Sequence, residues 1–84
     1  MPSKLHKLIA KMKSQPANIR FEDLSYVLTH CGCEQNAGKG SHYIYYNPIT
    51  KKRLTVPKHK PVKACYIRQA FELFDLEEVL HDED

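Results

Sequence analysis

The stretch Gly38–Tyr46 constrains the fold more than any other part of this sequence. It opens with two glycines, a lysine, a serine and a histidine, and it continues as an aromatic and β-branched run that favours a strand. Glycine permits sharp turns and close approach of the backbone to a ligand. The pattern predicts a turn that leads into a strand and holds His42 at the rim of a sheet, where histidine can act as an acid or base near neutral pH.

Two further strands are predicted beside this one. Residues 41–46 form the strongest predicted strand, and Asn-Pro-Ile-Thr at residues 47–50 is a turn signal. Residues 52–56 alternate polar and apolar side chains and predict the next strand, and a weaker, more polar strand is predicted at 33–37. The three together predict a short antiparallel meander.

Helical spacing of apolar residues appears on both sides of the predicted meander. Residues 3–14, 21–31 and 62–74 each carry an apolar stripe, and the acidic tail, about residues 75–84, is expected to add one helical turn. The element order ααβββα predicts an α+β fold in which helices pack on one face of a three-stranded antiparallel sheet. The other face is expected to stay open.

The chain length and composition limit the classes of protein. The 84 residues are enough for a single domain over 1–84, and no apolar run is long enough to span a membrane. Three cysteines, with Cys31 and Cys33 one residue apart, make a poor disulfide framework and fit a reducing compartment. We therefore expect a cytoplasmic protein with no membrane partner.

The net charge of +3 hides a strong asymmetry along the chain. All 13 lysines and arginines lie between Lys4 and Arg68, so residues 1–71 carry a net charge of +10 and residues 72–84 carry −7. A body this basic is expected to bind a polyanion. The alternative is a solvated basic surface with an acidic tail that aids solubility.

If the polyanion is RNA, the residues around His42 have the chemistry to cleave it without a metal. Histidine can take the 2′-hydroxyl proton or protonate the leaving oxygen. Lys39 and the backbone N–H groups of Gly40 and Ser41 could hold a phosphate. Alternatively, the His42 ring simply bonds a nearby carbonyl at the strand end. The other basic side chains predicted to contact RNA are Lys52, Arg53, Lys58, His59 and Lys60.

Zinc binding is an alternative use of some of these histidines and cysteines. His30, Cys31 and Cys33 are close in sequence, but Cys-x-Cys is shorter than the usual spacing of a zinc-binding cysteine pair. Cys31 also belongs to the apolar stripe of the second helix. We therefore predict neither a metal nor a cofactor.

The strand pattern leaves open which face of the sheet carries His42. If Ile44 faces the core, the imidazole lies at the rim of the core. If Tyr43 and Tyr45 face the core, His42 lies on the open face beside Ile44. A shift of one residue exchanges the two faces, so alternation alone does not choose between them.

Several of these residues together resemble the HicA-type toxins. The resemblance covers roughly residues 18–74 and includes Gly40–His42 at the start of a strand, then Tyr45, Leu54–Pro57 and His59. HicA-type toxins are small mRNA interferases of bacterial toxin–antitoxin pairs. The set of motifs is fairly specific, whereas each motif alone is weak.

The resemblance implies a fold like that of double-stranded-RNA-binding domains, metal-free endoribonuclease activity on mRNA, and a HicB-type antitoxin partner. No DNA partner is expected for the chain alone. The catalytic histidine of the family matches His42, and the preceding glycine and serine match Gly40 and Ser41. This chain has Tyr43 where many members have a second histidine. The alternative to the enzyme is a non-catalytic RNA-binding module with the same fold.

Overall fold

The structure is a computed structural model that describes residues 3–58 and 61–81. Each element lies within two residues of its predicted bounds, and the α+β order ααβββα is confirmed, followed by a short last helix. The elements are α1 (Lys4–Ser14), α2 (Phe21–His30), β1 (Glu34–Ala37), β2 (His42–Asn47), β3 (Lys52–Pro57), α3 (Ala64–Phe74) and α4 (Leu76–His81).

The three strands form one antiparallel sheet with β2 in the middle. The β2–β3 turn is held by the Asn47 side chain, whose Oδ1 accepts a hydrogen bond from the backbone N–H of Ile49 at 2.9 Å. This turn sets the register of the hairpin, in which Tyr45 pairs with Leu54 and His42 pairs with Pro57.

The register decides which face of the sheet is buried. Leu54 and Val56 are the apolar residues of β3, and they pair with Tyr45 and Tyr43. Tyr45 is 0% exposed and Leu54 is 3% exposed, so this face packs beneath the helices. Since neighbouring residues of a strand point to opposite faces, His42 lies on the open face. Of the two arrangements left open by the sequence, the structure has the one with the tyrosines inside.

One polar atom in the covered core lacks a hydrogen-bond partner. Within residues 3–58 and 61–81, the buried Tyr45 hydroxyl has no partner in good hydrogen-bonding geometry, although the Ser25 hydroxyl lies near it. Burial raises the pKa of this hydroxyl, and the nearby Ser25 hydroxyl, which donates to Gln35 at 3.0 Å, offsets only part of the rise. A buried hydroxyl without a well-formed hydrogen bond adds little to the stability of the core.

The first and last helices are joined to each other at the edge of the core. Ser3 caps α1 as its position suggests, since its Oγ accepts from the His6 backbone N–H at 3.3 Å. The His6 ring Nε2 lies 2.9 Å from the Val79 carbonyl oxygen, and Lys13 forms an ion pair with Glu77 at 2.8 Å. Part of the acidic tail thus folds back on the basic first helix.

The cysteines are free thiols in three different surroundings. Cys33 is buried, Cys31 is half-buried and Cys65 is exposed. Burial, together with the neighbouring Cys31, raises the pKa of Cys33 to about 11. Within residues 3–58 and 61–81, no three His, Cys, Asp or Glu side chains are grouped so as to hold a metal ion. In the same residues no helix has the length and apolar character needed to cross a bilayer.

Candidate active site

The turn before β2 fixes the backbone of His42 from both sides. The His42 N–H donates to the Lys39 carbonyl at 3.2 Å, and its carbonyl accepts from the Gly38 N–H at 2.8 Å. Gly40 has a φ of +62°, a left-handed conformation that is easiest for glycine. The Lys58 N–H donates to the Ser41 carbonyl at 2.8 Å, so that the turn is also attached to the end of β3.

The imidazole of His42 is exposed and oriented by one hydrogen bond. Its Nδ1 lies 3.1 Å from the Lys39 carbonyl oxygen. Because a carbonyl can only accept, Nδ1 carries the hydrogen, and in the neutral ring Nε2 keeps its lone pair. No residue that the structure describes forms a hydrogen bond with Nε2. This is the carbonyl contact expected of a strand-end histidine, and it also leaves a proton acceptor facing outward.

Backbone donors stand next to this ring. Among the described residues, the N–H groups of Gly40 and Ser41 donate to no acceptor, although both residues belong to an ordered turn. The exposed Lys39 side chain belongs to the same turn. Four of the predicted site residues, Lys39 to His42, are thus consecutive in one exposed turn, where an anion could accept from two unused N–H groups.

The remaining predicted RNA-binding residues are more widely spread. Lys58 extends over the helix side of the sheet, with its Nζ 5.9 Å from the centre of the Phe21 ring. Arg53 shares the face of His42 but pairs with Tyr46 at the far end of β2, about 13 Å along the strand. Lys52 points to the opposite face from Arg53. Two further predicted residues, His59 and Lys60, lie outside the described residues.

The predicted RNA-binding cations that the structure describes are not held in ion pairs. Lys39, Arg53 and Lys58 form no ion pair with any described residue, whereas Lys13 pairs with Glu77 and Arg20 with Asp23. The three strands contain one carboxylate in total, at Glu34. Arg53 on the uncovered face and Lys39 in the turn before β2 are exposed cations that favour an anionic ligand there.

Sequence reasoning did not single out three features of the site. Thr55 and Asn36 flank Ile44 on the open face, and Pro57 lies opposite His42. A signal for them was present: once Leu54 is assigned to the core, the register places these residues with His42. The sequence offered a bond from the His42 ring to a nearby carbonyl as an alternative, and the structure identifies that carbonyl as the one of Lys39.

The arrangement can be compared with known families. The sequence model of a family described as "HicA toxin of bacterial toxin-antitoxin" matches residues 21–76, from the start of α2 to the start of α4. No curated protein and no solved structure gives a significant match. The match contains the whole sheet and His42, and the family implies a HicB-type antitoxin as partner. Because more than half of the chain is matched, this protein belongs to the HicA family of toxins from bacterial toxin–antitoxin systems.

Proposed function

We propose that this toxin is a metal-independent endoribonuclease that cleaves mRNA with His42 as its general acid or base. The observation that carries the proposal is the orientation of the exposed ring, in which the Lys39 carbonyl holds Nδ1 and no described residue bonds to Nε2. A base must be within reach of its proton, and an exposed nitrogen at the edge of an open face meets that requirement.

The reaction can be written with these residues alone. Nε2 of His42 takes the proton from a ribose 2′-hydroxyl, and the 2′-oxygen forms a bond to the adjacent phosphorus. The bond from phosphorus to the 5′-oxygen breaks, and that oxygen takes a proton from the imidazolium or from water. The products are a 2′,3′-cyclic phosphate and a 5′-hydroxyl end. Lys39 and the N–H groups of Gly40 and Ser41 stabilise the added negative charge on the phosphate.

The proposal is tested with labelled mRNA in the presence of a chelator. Wild-type protein should cleave it and leave 5′-hydroxyl and cyclic phosphate ends. His42→Ala should cleave at least about 100-fold more slowly, because general acid–base catalysis contributes that much or more. His30→Ala is the matched control, since His30 is also exposed but lies at the end of α2, where it stacks on Tyr26.

Two results would contradict the proposal. Equal cleavage by the wild type and His42→Ala would remove His42 from the chemistry, and loss of cleavage on chelation would show that a metal is required. RNA binding without any cleavage would favour the alternative of a non-catalytic RNA-binding module. Binding should in either case weaken steeply as salt is raised, because the contacts are to phosphates.

A further inference from the structure

The three tyrosines of β2 have three different surroundings. Tyr45 is buried in the core, and the Tyr43 ring packs on Phe21 with 5.1 Å between ring centres. Tyr46 is half-buried and lies on the open face, the same face as His42. It is therefore the tyrosine of this strand that is placed to contact a ligand lying across that face.

Tyr46 lies in a row of three residues across the sheet. Arg53 is its partner on β3 and Glu34 is its partner on β1. Arg53 is exposed and forms no ion pair or hydrogen bond with the described residues. An aromatic ring beside an unpaired guanidinium presents a stacking surface and a phosphate ligand at one place, as in proteins that bind single-stranded nucleic acid.

A continuous surface joins this row to His42. Ile44 lies between Tyr46 and His42 on the same face and is half-buried. Its partners across the sheet are Thr55 on β3 and Asn36 on β1, which can donate and accept hydrogen bonds. The face thus runs from His42 over an apolar centre with polar edges to the aromatic and cationic row.

The shape of this surface favours unpaired RNA over a duplex. Bases within an A-form duplex are stacked on each other, and its narrow major groove does not admit side chains. A tyrosine on the face of a sheet can stack only on a base that has left the duplex. Tyrosine and arginine are also common in protein interfaces, so the choice of a polyanion rests on charge: Arg53 forms no ion pair with a described residue, and Glu34 is the one carboxylate of the three strands.

We propose that the open face of the sheet binds unpaired RNA, and that Tyr46 stacks on a base while Arg53 contacts the neighbouring phosphate. This base lies about 13 Å from the phosphodiester at His42, so it belongs to a nucleotide flanking the cut rather than to the one that is cut. Tyr46 and Arg53 are thus binding residues that select single-stranded sites. The position of the cut rests on the proposed function, whereas the binding of unpaired RNA does not.

The binding test uses the His42→Ala protein so that the RNA stays intact. Fluorescence anisotropy compares a labelled, unstructured oligoribonucleotide with the same strand annealed to its complement. The single strand should bind more tightly, and adding Tyr46→Leu should weaken its binding about tenfold or more, as for other stacked bases. Tyr46→Phe should retain the affinity because it keeps the ring. Tyr26→Leu is the matched control on α2 and should leave the affinity unchanged.

Several outcomes would overturn the inference. One is that adding Tyr46→Leu leaves the affinity for the single strand unchanged. Another is that the protein binds the single strand and the duplex equally well. A third is that Tyr46→Leu weakens binding of the HicB-type antitoxin and leaves RNA binding intact, which would make the face a protein-docking surface. Arg53→Gln should weaken single-strand binding as well, and it replaces Tyr46→Leu as the test variant if that protein does not fold. If His42→Ala still cleaved RNA, the proposed function would fail while this binding result would stand.

Discussion

The two faces of the sheet are built from alternate residues of the same strands and have opposite properties. The helix-covered face presents Tyr43, Tyr45 and Leu54, which are buried or packed on the core. The open face presents His42 and Tyr46, which keep contact with solvent. Because neighbouring residues of a strand point to opposite faces, one residue can stabilise the core while the next stays available to a ligand. Substitutions on the two faces should have separable effects.

The largest effect on stability is expected on the covered face. Leu54→Ala should lower the free energy of unfolding by about 2–5 kcal/mol, because it leaves a cavity beneath the helices. The matched substitution is Thr55→Ala, one residue along and on the open face, and it should cost about 1 kcal/mol or less. Urea unfolding of both variants measures the difference. Equal losses would mean that the two faces are not divided in this way.

A smaller effect of opposite sign is expected at Tyr45. Tyr45→Phe removes a buried hydroxyl that has no well-formed hydrogen bond to the described residues, so the free energy of unfolding should stay the same or rise by about 1 kcal/mol. Tyr46→Phe on the open face should change little, since that hydroxyl is not enclosed in the core. Thermal unfolding of the two variants gives the comparison. A clear loss of stability in Tyr45→Phe would show that its hydroxyl is bonded after all.

The smallest expected effect is a difference in the rate at which the three cysteines are alkylated, and it needs no substitution. A raised pKa lowers the thiolate fraction at any given pH, so at pH 8, on the order of three units below its pKa of about 11, Cys33 should be nearly unreactive. Cys31, whose pKa burial also raises, should react slowly, and the exposed Cys65 should react first. Mass spectrometry after brief alkylation identifies the site. Modification of Cys33 as fast as Cys65 would show that the helices do not cover that side.

The helices and strands could be predicted because their signals are local. Apolar spacing identified α1, α2 and α3, and the Asn-Pro turn identified the hairpin. Local patterns could not predict which face of the sheet is buried, because this depends on how β2 pairs with β3. The apolar residues Leu54 and Val56 indicate the buried face only when the β2–β3 register, set by Asn47 in the turn, is known.

Contacts between distant parts of the chain were not predictable from local patterns. The contact of His6 with Val79 and that of Lys13 with Glu77 join residues 73 and 64 positions apart. No spacing rule relates such pairs. The same applies to the site, where the sequence indicated His42 and a bond to a nearby carbonyl but not that this carbonyl belongs to Lys39. The different burial of Tyr45 and Tyr46 likewise followed only from the fold.

The most direct test of the account measures stability and RNA cleavage on one preparation of His42→Ala. Because His42 is exposed and its ring bonds only the Lys39 carbonyl among the described residues, the free energy of unfolding should change by less than about 0.5 kcal/mol. Cleavage should nevertheless fall at least about 100-fold. A folded variant that cleaves RNA like the wild type would contradict the account, and so would a variant that loses activity only because it has unfolded.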